Sequence, residues 1–256
     1  MNAIDVRSPS LPALFDPTLP NAPLLFAILA GNLPGRAIAD DPVAPTVAAV
    51  QGAEGIAFVS RTTSQAALDD ALSGLRTDAI VGLIWPDDAG ASVIPEAPAR
   101  VQDRLGFGPI PATGVPLEGL RAQLPAGATI RPMDAGLMAR CEWREVVEGA
   151  YGSVEAFLAH GMGLCVMRDD EILAEAYAPY IGNGVAEVGV ITAEAHRGQG
   201  LAAIAIAWLA AALDERGLAM YWSCDTTNEA SVRVAGKLGF GPARPFGIRL
   251  YRQLGG

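Results

Sequence analysis

The sequence predicts a mixed α/β fold, and three observations lead to it. Helix-patterned and strand-patterned segments alternate along the chain. Residues 185–203 read as a strand, a glycine-marked turn and a helix that opens at the turn. The motif L-G-F-G-P occurs at 105–109 and again at 238–242, each time with a Val four residues before the Leu and a basic residue directly before it. Val101 and Val234 stand 133 residues apart, so the halves read either as one fold repeated or as a chance match.

The first 20 residues, with Pro9, Pro12, Pro17 and Pro20, read as an irregular arm. Residues 22–30 form a short buried helix ended by Gly31. Strand-like runs follow at 36–39, 46–51 and 56–60, then a helix over 64–75 with Ser64 as its cap. An apolar strand at 79–85 and a helix around 97–105, stopping at Gly106, complete the first half. Residues 116–128, with Pro125 and Gly127, read as a connection. Beyond it come a strand at 129–132 and helices at 134–144 and 154–160. Two strands, 163–168 and 171–178, are joined by Asp169-Asp170 in a hairpin turn. After the central stretch, a strand at 220–224, a helix at 228–238 and a strand at 247–253 end the chain.

In the central stretch Val185, Val188, Val190 and Ile191 are strand formers, and Arg197-Gly198-Gln199-Gly200 contains two residues without a Cβ. The run LAAIAIAWLAAALDER favours helix and has no breaker before Gly217. A helix start carries unpaired N–H groups and partial positive charge, and glycine lets backbone come close to a ligand, so the bend can hold a phosphate. The same residues also suit a plain strand-to-helix turn whose glycines serve packing. Two other phosphate motifs are absent: there is no G-x-x-x-x-G-K-[ST], and no G-x-G-x-x-G with an acidic residue on the next strand. A shift of 133 residues back from 188–192 reaches 55–59, where a strand is also predicted. The bend position there reads Ser60-Arg61-Thr62-Thr63-Ser64, without the glycine pair, as in a copy that has lost its cofactor site.

Composition narrows the partners. A length of 256 residues holds one large domain or two small ones. The most apolar run, residues 201–213, is 13 residues, short of the ~20 a bilayer span needs, so no membrane segment is expected. The N-terminus lacks a basic region followed by an apolar core, which argues against a secretory signal. Cys141, Cys165 and Cys224 are odd in number and widely spaced, which favours a reducing, cytoplasmic interior. With His160 and His196 the only histidines, no cluster has metal-ligand spacing and no metal is expected. A net charge of −10 argues against nucleic acid. It suits a cationic small substrate, and equally a well-solvated surface.

The second half resembles the GNAT superfamily of acyl-CoA-dependent N-acetyltransferases. The family signature Q/R-x-x-G-x-G/A corresponds to Ala195-His196-Arg197-Gly198-Gln199-Gly200, with Ala in place of the first Gln or Arg. The run Trp222-Ser223-Cys224-Asp225, then Asn228-Glu229-Ala230-Ser231 and Lys237-Leu238-Gly239-Phe240, is similar to the family's fifth strand and following helix. Patterns such as Gly152-Ser153, Phe157-Leu158, Gly163-Leu164-Cys165, Glu187-Val188-Gly189-Val190 with Thr192, and W-x-C before N-x-x-S resemble the branch related to zwittermicin A resistance acetyltransferases. The likeness is strong over 145–242 and weaker over 20–110, where Gly35-Arg36 and Asp40-Asp41-Pro42 fit a family turn.

The resemblance implies an acyl-CoA N-acyltransferase fold in tandem: a degenerate GNAT-like domain at 1–122 and a GNAT acetyltransferase domain at 123–256. It implies acetyl-CoA as cofactor, held by Val188, Val190, Ile191, Thr192, Arg197, Gly198, Gln199, Gly200, Leu201, Ala202, Asn228 and Ser231. Strand N–H groups at Val188, Val190 or Thr192 would stabilise the oxyanion. Arg197 otherwise reads as a solvated turn residue, and Asn228 as an N-cap; Ser231 shares that ambiguity. Gly189 suits a bulge that admits the cofactor, or tight packing against a helix. Glu187 is the candidate base, with a water-facing strand-end carboxylate as its plain alternative. The family's Tyr, which reprotonates the CoA thiolate, falls at Ala235 here. The leading expectation is acetyl transfer to the amine of a small molecule. Transfer to a protein or peptide amine, and a non-catalytic CoA-binding module, are the alternatives. The assembly, a homodimer included, is left open.

Overall fold

The computed structural model describes all residues except 63, 77–79, 86–92, 115–116 and 255–256. The expected strand at 79–85 therefore has its first residue outside the described set. The chain divides into two compact units, Met1–Leu105 with Pro245–Gly256, and Gly106–Arg244. These limits differ from the expected boundary at 122: the second unit begins at Gly106, within a strand, and the first takes in the carboxy-terminal segment Pro245–Gly256.

The first unit contains β1 (Asn2–Ile4), α1 (Ala22–Leu29), β2 (Gly35–Ala39), β3 (Ala48–Gly52), β4 (Ile56–Val59), α2 (Gln65–Leu75), β5 (Val81–Ile84) and the start of β6 (Arg100–Pro111). β1 to β4 pair antiparallel in sequence order, and β5 lies parallel to β4 across the α2 crossover. α2 buries Leu68, Ala71, Leu72 and Leu75, spaced as one helical face, against Ala49, Ala57, Val59, Val81 and Leu83. The proline-rich arm is not wholly irregular, since Asn2–Ile4 pairs with Ala37–Ala39.

In the second unit follow α3 (Leu117–Arg121), β7 (Ala128–Pro132), α4 (Ala135–Met138), α5 (Arg144–Tyr151), α6 (Val154–His160), β8 (Met162–Arg168), β9 (Glu171–Gly182), β10 (Val185–Thr192), α7 (Leu201–Asp214), β11 (Ala219–Asp225) and α8 (Glu229–Lys237). β12 (Arg244–Tyr251) then joins the first unit, antiparallel to β5. β7 to β10 pair antiparallel in order, and β11 lies parallel to β10 across the α7 crossover. Gly106 and Gly108 of β6 lie against β11, where a Cβ at Gly108 would stand 2.9 Å from Met220 O. Both units thus share one strand plan, a four-strand meander and then a parallel crossover. α7 packs against β8, β9, β10 and α3. Its face and its back are both apolar, which its burial from Leu201 to Leu213 requires.

Several expectations change. The predicted helix around 97–105 is strand: Ala99 N–H donates to Leu250 O at 2.9 Å, so a tertiary ladder overrides the local preference. Gly106 does not stop a helix; a Cβ there would stand 2.5 Å from the Tyr221 hydroxyl. The L-G-F-G-P repeat consequently marks unlike places, β6 in one half and the end of α8 with the loop beyond it in the other. The predicted helix at 134–144 breaks after one turn, and α5 begins where that helix was expected to end. The expected connection at 116–128 contains α3. Other expectations match. Arg168 pairs with Glu171 across Asp169-Asp170, with Asp169 at φ 51°, and Ser64 caps α2 through the Ala67 N–H. The three cysteines are free, yet Cys141 and Cys165, far apart in sequence, bring their sulfurs to 3.8 Å. Among the described residues no helix is long and apolar enough to cross a membrane.

Candidate active site

The site is made where bonds stop. The parallel ladder between β10 and β11 runs from Val185↔Ala219 to Val188↔Trp222 and ends there, although β10 continues to Thr192 and β11 to Asp225. On its other side β10 stays paired to β9 as far as Thr192↔Ala174. One edge of β10 is therefore open from Gly189 to Thr192. The β9–β10 register slips by one residue between Glu187 and Gly189, a bulge. Gly189 is needed beside it, since a Cβ would lie 2.3 Å from the Tyr177 ring; the close neighbour is this aromatic of β9 and not a helix.

The open edge leads into the bend. Gly198 and Gly200 have φ of 79° and 80°, a left-handed conformation that favours glycine, and a Cβ at either would meet nothing within 4 Å. No side chain caps α7, and its first internal bonds run from Ala203 and Ile204 to Gly200 O. The N–H groups of Leu201 and Ala202 therefore have no acceptor inside the helix, and the helix dipole lies behind them. The cleft here measures about 600 Å³. Its charged walls are Arg197, Arg233 and Lys237, with no carboxylate, in a chain whose net charge is −10. Such a cradle fits a diphosphate, and the open strand edge beside it fits an amide-bearing arm, so the residues present suit CoA.

Ten of the expected residues line this cleft: Val190, Ile191, Thr192, Arg197, Gly198, Gly200, Leu201, Ala202, Asn228 and Ser231. Gln199 does not, and Val188 is buried within the ladder. Asn228 also caps α8 through the Ser231 N–H at 3.0 Å, and Trp222 Nε1 donates to Ser231 Oγ at 2.9 Å. His196 lines the cleft half-buried, with Nε2 2.9 Å from a Glu171 carboxylate oxygen. Trp222, Arg233 and Lys237 also line it, unforeseen as site residues although the basic pair sits one helical turn apart on α8.

Glu187 lies apart from that lining. It is buried on β10, level with Tyr221 on β11, and its Oε1 accepts the Ser223 hydroxyl at 2.9 Å. By strand alternation it shares a sheet face with Glu175 and Tyr177, displaced by the bulge. Glu175 is buried too; its oxygens accept the N–H groups of Glu142 at 2.8 Å and Trp143 at 3.4 Å. Burial holds the Glu175 carboxyl above the usual range, and those two N–H groups offset this only in part. The pinned loop lays Trp143 on Tyr177, ring centres 3.7 Å apart. Burial, reinforced by the Glu175 carboxylate, pushes the Tyr177 hydroxyl well above its ordinary pKa. No sequence pattern marked Glu175, Tyr177 or Trp143, which only the register of β9 brings beside Glu187; Ser223, within the run that resembles the family's fifth strand, reaches Glu187 from β11.

A family model described as GNAT acetyltransferase matches residues 99–248, from the start of β6 into β12. The chain belongs to the GNAT acetyltransferase family. Like other members it is an N-acetyltransferase by family, a transferase of acyl groups. An uncharacterized N-acetyltransferase, YdfB, of Bacillus subtilis is 25% identical over 225 residues, covering 84% of this chain and 85% of that protein. The structure of a GCN5-related N-acetyltransferase-like protein from Streptococcus suis aligns with TM-score 0.57 at 22% identity, covering 84% of this chain and 88% of that one. A tandem GNAT protein from the clavulanic acid biosynthesis pathway aligns with TM-score 0.56 at 12% identity, over 96% and 92% of the two chains. These structures share the GNAT fold with this chain.

Proposed function

We propose that this GNAT protein transfers an acetyl group from acetyl-CoA to the amine of a small molecule. One observation carries the reading: the β10–β11 ladder ends beside an uncapped helix start, and the resulting cleft is lined by three cationic side chains and no carboxylate. The bend N–H groups and Arg197 would hold the diphosphate, and the open edge at Val190 and Thr192 would pair with the pantetheine amides. Bound there, acetyl-CoA would supply a thioester-activated acetyl group.

The acceptor is a cation before it reacts. An amine with a pKa of ~10.4 must lose a proton at about 1.36 kcal/mol per unit, or roughly 4–5 kcal/mol at pH 7. Glu187 takes that proton, directly or through water, and Ser223 orients the carboxylate by its hydrogen bond. Ala235 is buried where many relatives have Tyr and has no proton to give, so the leaving thiolate is protonated by solvent or by another group. Trp143 over Tyr177 covers the sheet face beside Glu187, which favours a compact acceptor over a long peptide; so does the resemblance to zwittermicin A resistance acetyltransferases. The first half, with the same strand plan, reads as a degenerate copy of the fold. Three free cysteines suit a reducing, cytoplasmic setting.

The test is thiol release from acetyl-CoA with a panel of small amines set against peptides, alongside thermal melting. Acetyl-CoA must raise the melting temperature, since it binds the native form. Turnover with amines of low mass is expected. Turnover confined to peptides overturns the acceptor assignment, and an unchanged melting temperature overturns the cofactor.

A further inference from the structure

A buried carboxylate on an apolar stretch of strand is costly unless its oxygens are used. Glu175 is 4% exposed, between the buried Ala174 and Ala176 of β9, and acetyl transfer at Glu187 gives it no task. Its oxygens bond to the loop between α4 and α5, where the N–H groups of Glu142 and Trp143 donate to them and the Cys141 thiol adds a third bond. Three consecutive residues of that loop are thus tied to one side chain. Trp143 is the N-cap of α5, but its side chain makes no cap bond, so the helix does not fix where the indole lies. The indole lies on Tyr177, and Tyr177 stands opposite Gly189 in the register, its ring where a Gly189 Cβ would be. Gly189 opens the free edge of β10, two residues after Glu187. Carboxylate, loop, indole and phenol form one run of contacts, and it ends where the amine must approach.

We propose that Trp143 sets the size limit of the acceptor site and that Glu175 is the positioning residue that holds it there. Resting on the reading that Glu187 deprotonates the amine, this narrows the acceptor class to primary amines with an unbranched carbon next to the nitrogen. The stacked rings occupy the sheet face over Gly189, so a slender chain passes and a branch or ring beside the nitrogen meets the indole. Glu175 itself touches neither the acyl donor nor the amine; its carboxylate acts through the backbone of Glu142 and Trp143.

Steady-state rates with acetyl-CoA and propylamine, isopropylamine or benzylamine test this. The parent protein prefers propylamine. Trp143→Ala raises kcat/KM for the two bulkier amines relative to propylamine by roughly tenfold or more, the worth of a carbon or two of clash. Glu175→Gln keeps one oxygen but sets an amide NH₂ against the other backbone N–H, so the indole loosens and the preference relaxes the same way by a smaller factor. Glu175→Asp, which draws the carboxylate back by one carbon, probes the same residue a second time. The double variant Glu175→Gln/Trp143→Ala matches Trp143→Ala alone, because Glu175 acts only through the indole. Loss of folded enzyme scales all three rates together, so the ratio reports position and not stability. An unchanged ratio in Trp143→Ala overturns the size limit. A parent-like ratio in both Glu175 variants, or additive effects in the double variant, overturns the positioning role. If the parent turns over none of the three amines, the acceptor reading fails, and this proposal with it.

Discussion

The two crossovers, β4–α2–β5 and β10–α7–β11, follow one plan and end differently. α2 starts on Ser64, whose hydroxyl takes the Ala67 N–H at 3.2 Å. The ladder of β4 and β5 reaches Phe58↔Ile84, one residue from the end of β4, and the next polar residue, Ser60, is buried with its hydroxyl on the Ala48 N–H. α7 starts on Gly200 with no cap, and its ladder stops four residues short of the end of β10. The first crossover has a capped helix start and a ladder that nearly reaches the end of its strand; the second has neither. A ligand site of this kind is made by withholding bonds, and a single capping hydroxyl with a full ladder is enough to close it.

The comparison can be broken most sharply at the carboxylate that only the second crossover places on its strand. Glu187→Gln should lower kcat by about 10²–10⁴ and flatten its rise with pH, read from steady-state rates across the pH range. Wild-type kcat and pH profile in that variant would remove Glu187 from the reaction. Next in size, Gly200→Val forces a β-branched residue into the left-handed region, at about 1–3 kcal/mol, and turns the bend donors away. CoA affinity by calorimetry should then fall by at least the roughly tenfold to hundredfold such a cost implies. An unchanged affinity would mean that the bend does not hold the cofactor.

Smaller effects sharpen the contrast. Ser64→Ala should cost about 1 kcal/mol, a drop of roughly 2–4 °C in melting temperature, without altering CoA affinity. A change in CoA affinity would show that the first crossover takes part in binding. Glu175 supplies a pH signature. Its carboxyl pKa is raised in the fold, so the native state holds its proton more tightly than the unfolded chain does. Its contribution is therefore fullest below the ordinary Glu value and is lost as pH climbs from there through the raised pKa. Glu175→Gln should flatten that part of the stability curve, measured by melting at successive pH values; an unaltered slope would assign the titration elsewhere.

Much of the cleft was legible in the residues, because its makers are local. Gly198 and Gly200 set the bend, the Ala- and Leu-rich run sets α7, and Asn228 with Ser231 sets the start of α8. What escaped is long-range. Residues 100–105 carry adequate helix formers and become strand only because β12, about 150 residues later, offers a ladder. The helix expected at 134–144 breaks where Glu175 draws the N–H groups of Glu142 and Trp143 into a buried bond. Asn183-Gly184, a two-residue hairpin turn with both φ values positive, was a local signal that could have joined β9 to β10 in advance.

The strand traded between the ends of the chain has a consequence for synthesis. On the ribosome the amino-terminal unit is made first, yet β12, its closing strand, is translated last. Until then Val81–Ile84, four fully buried apolar residues in the finished protein, presents a bare edge. Nascent or truncated chains lacking residues beyond 244 would carry that sticky edge into the cell, where β-edges recruit one another. Premature termination should therefore produce aggregates seeded by the half of the molecule farthest from the stop.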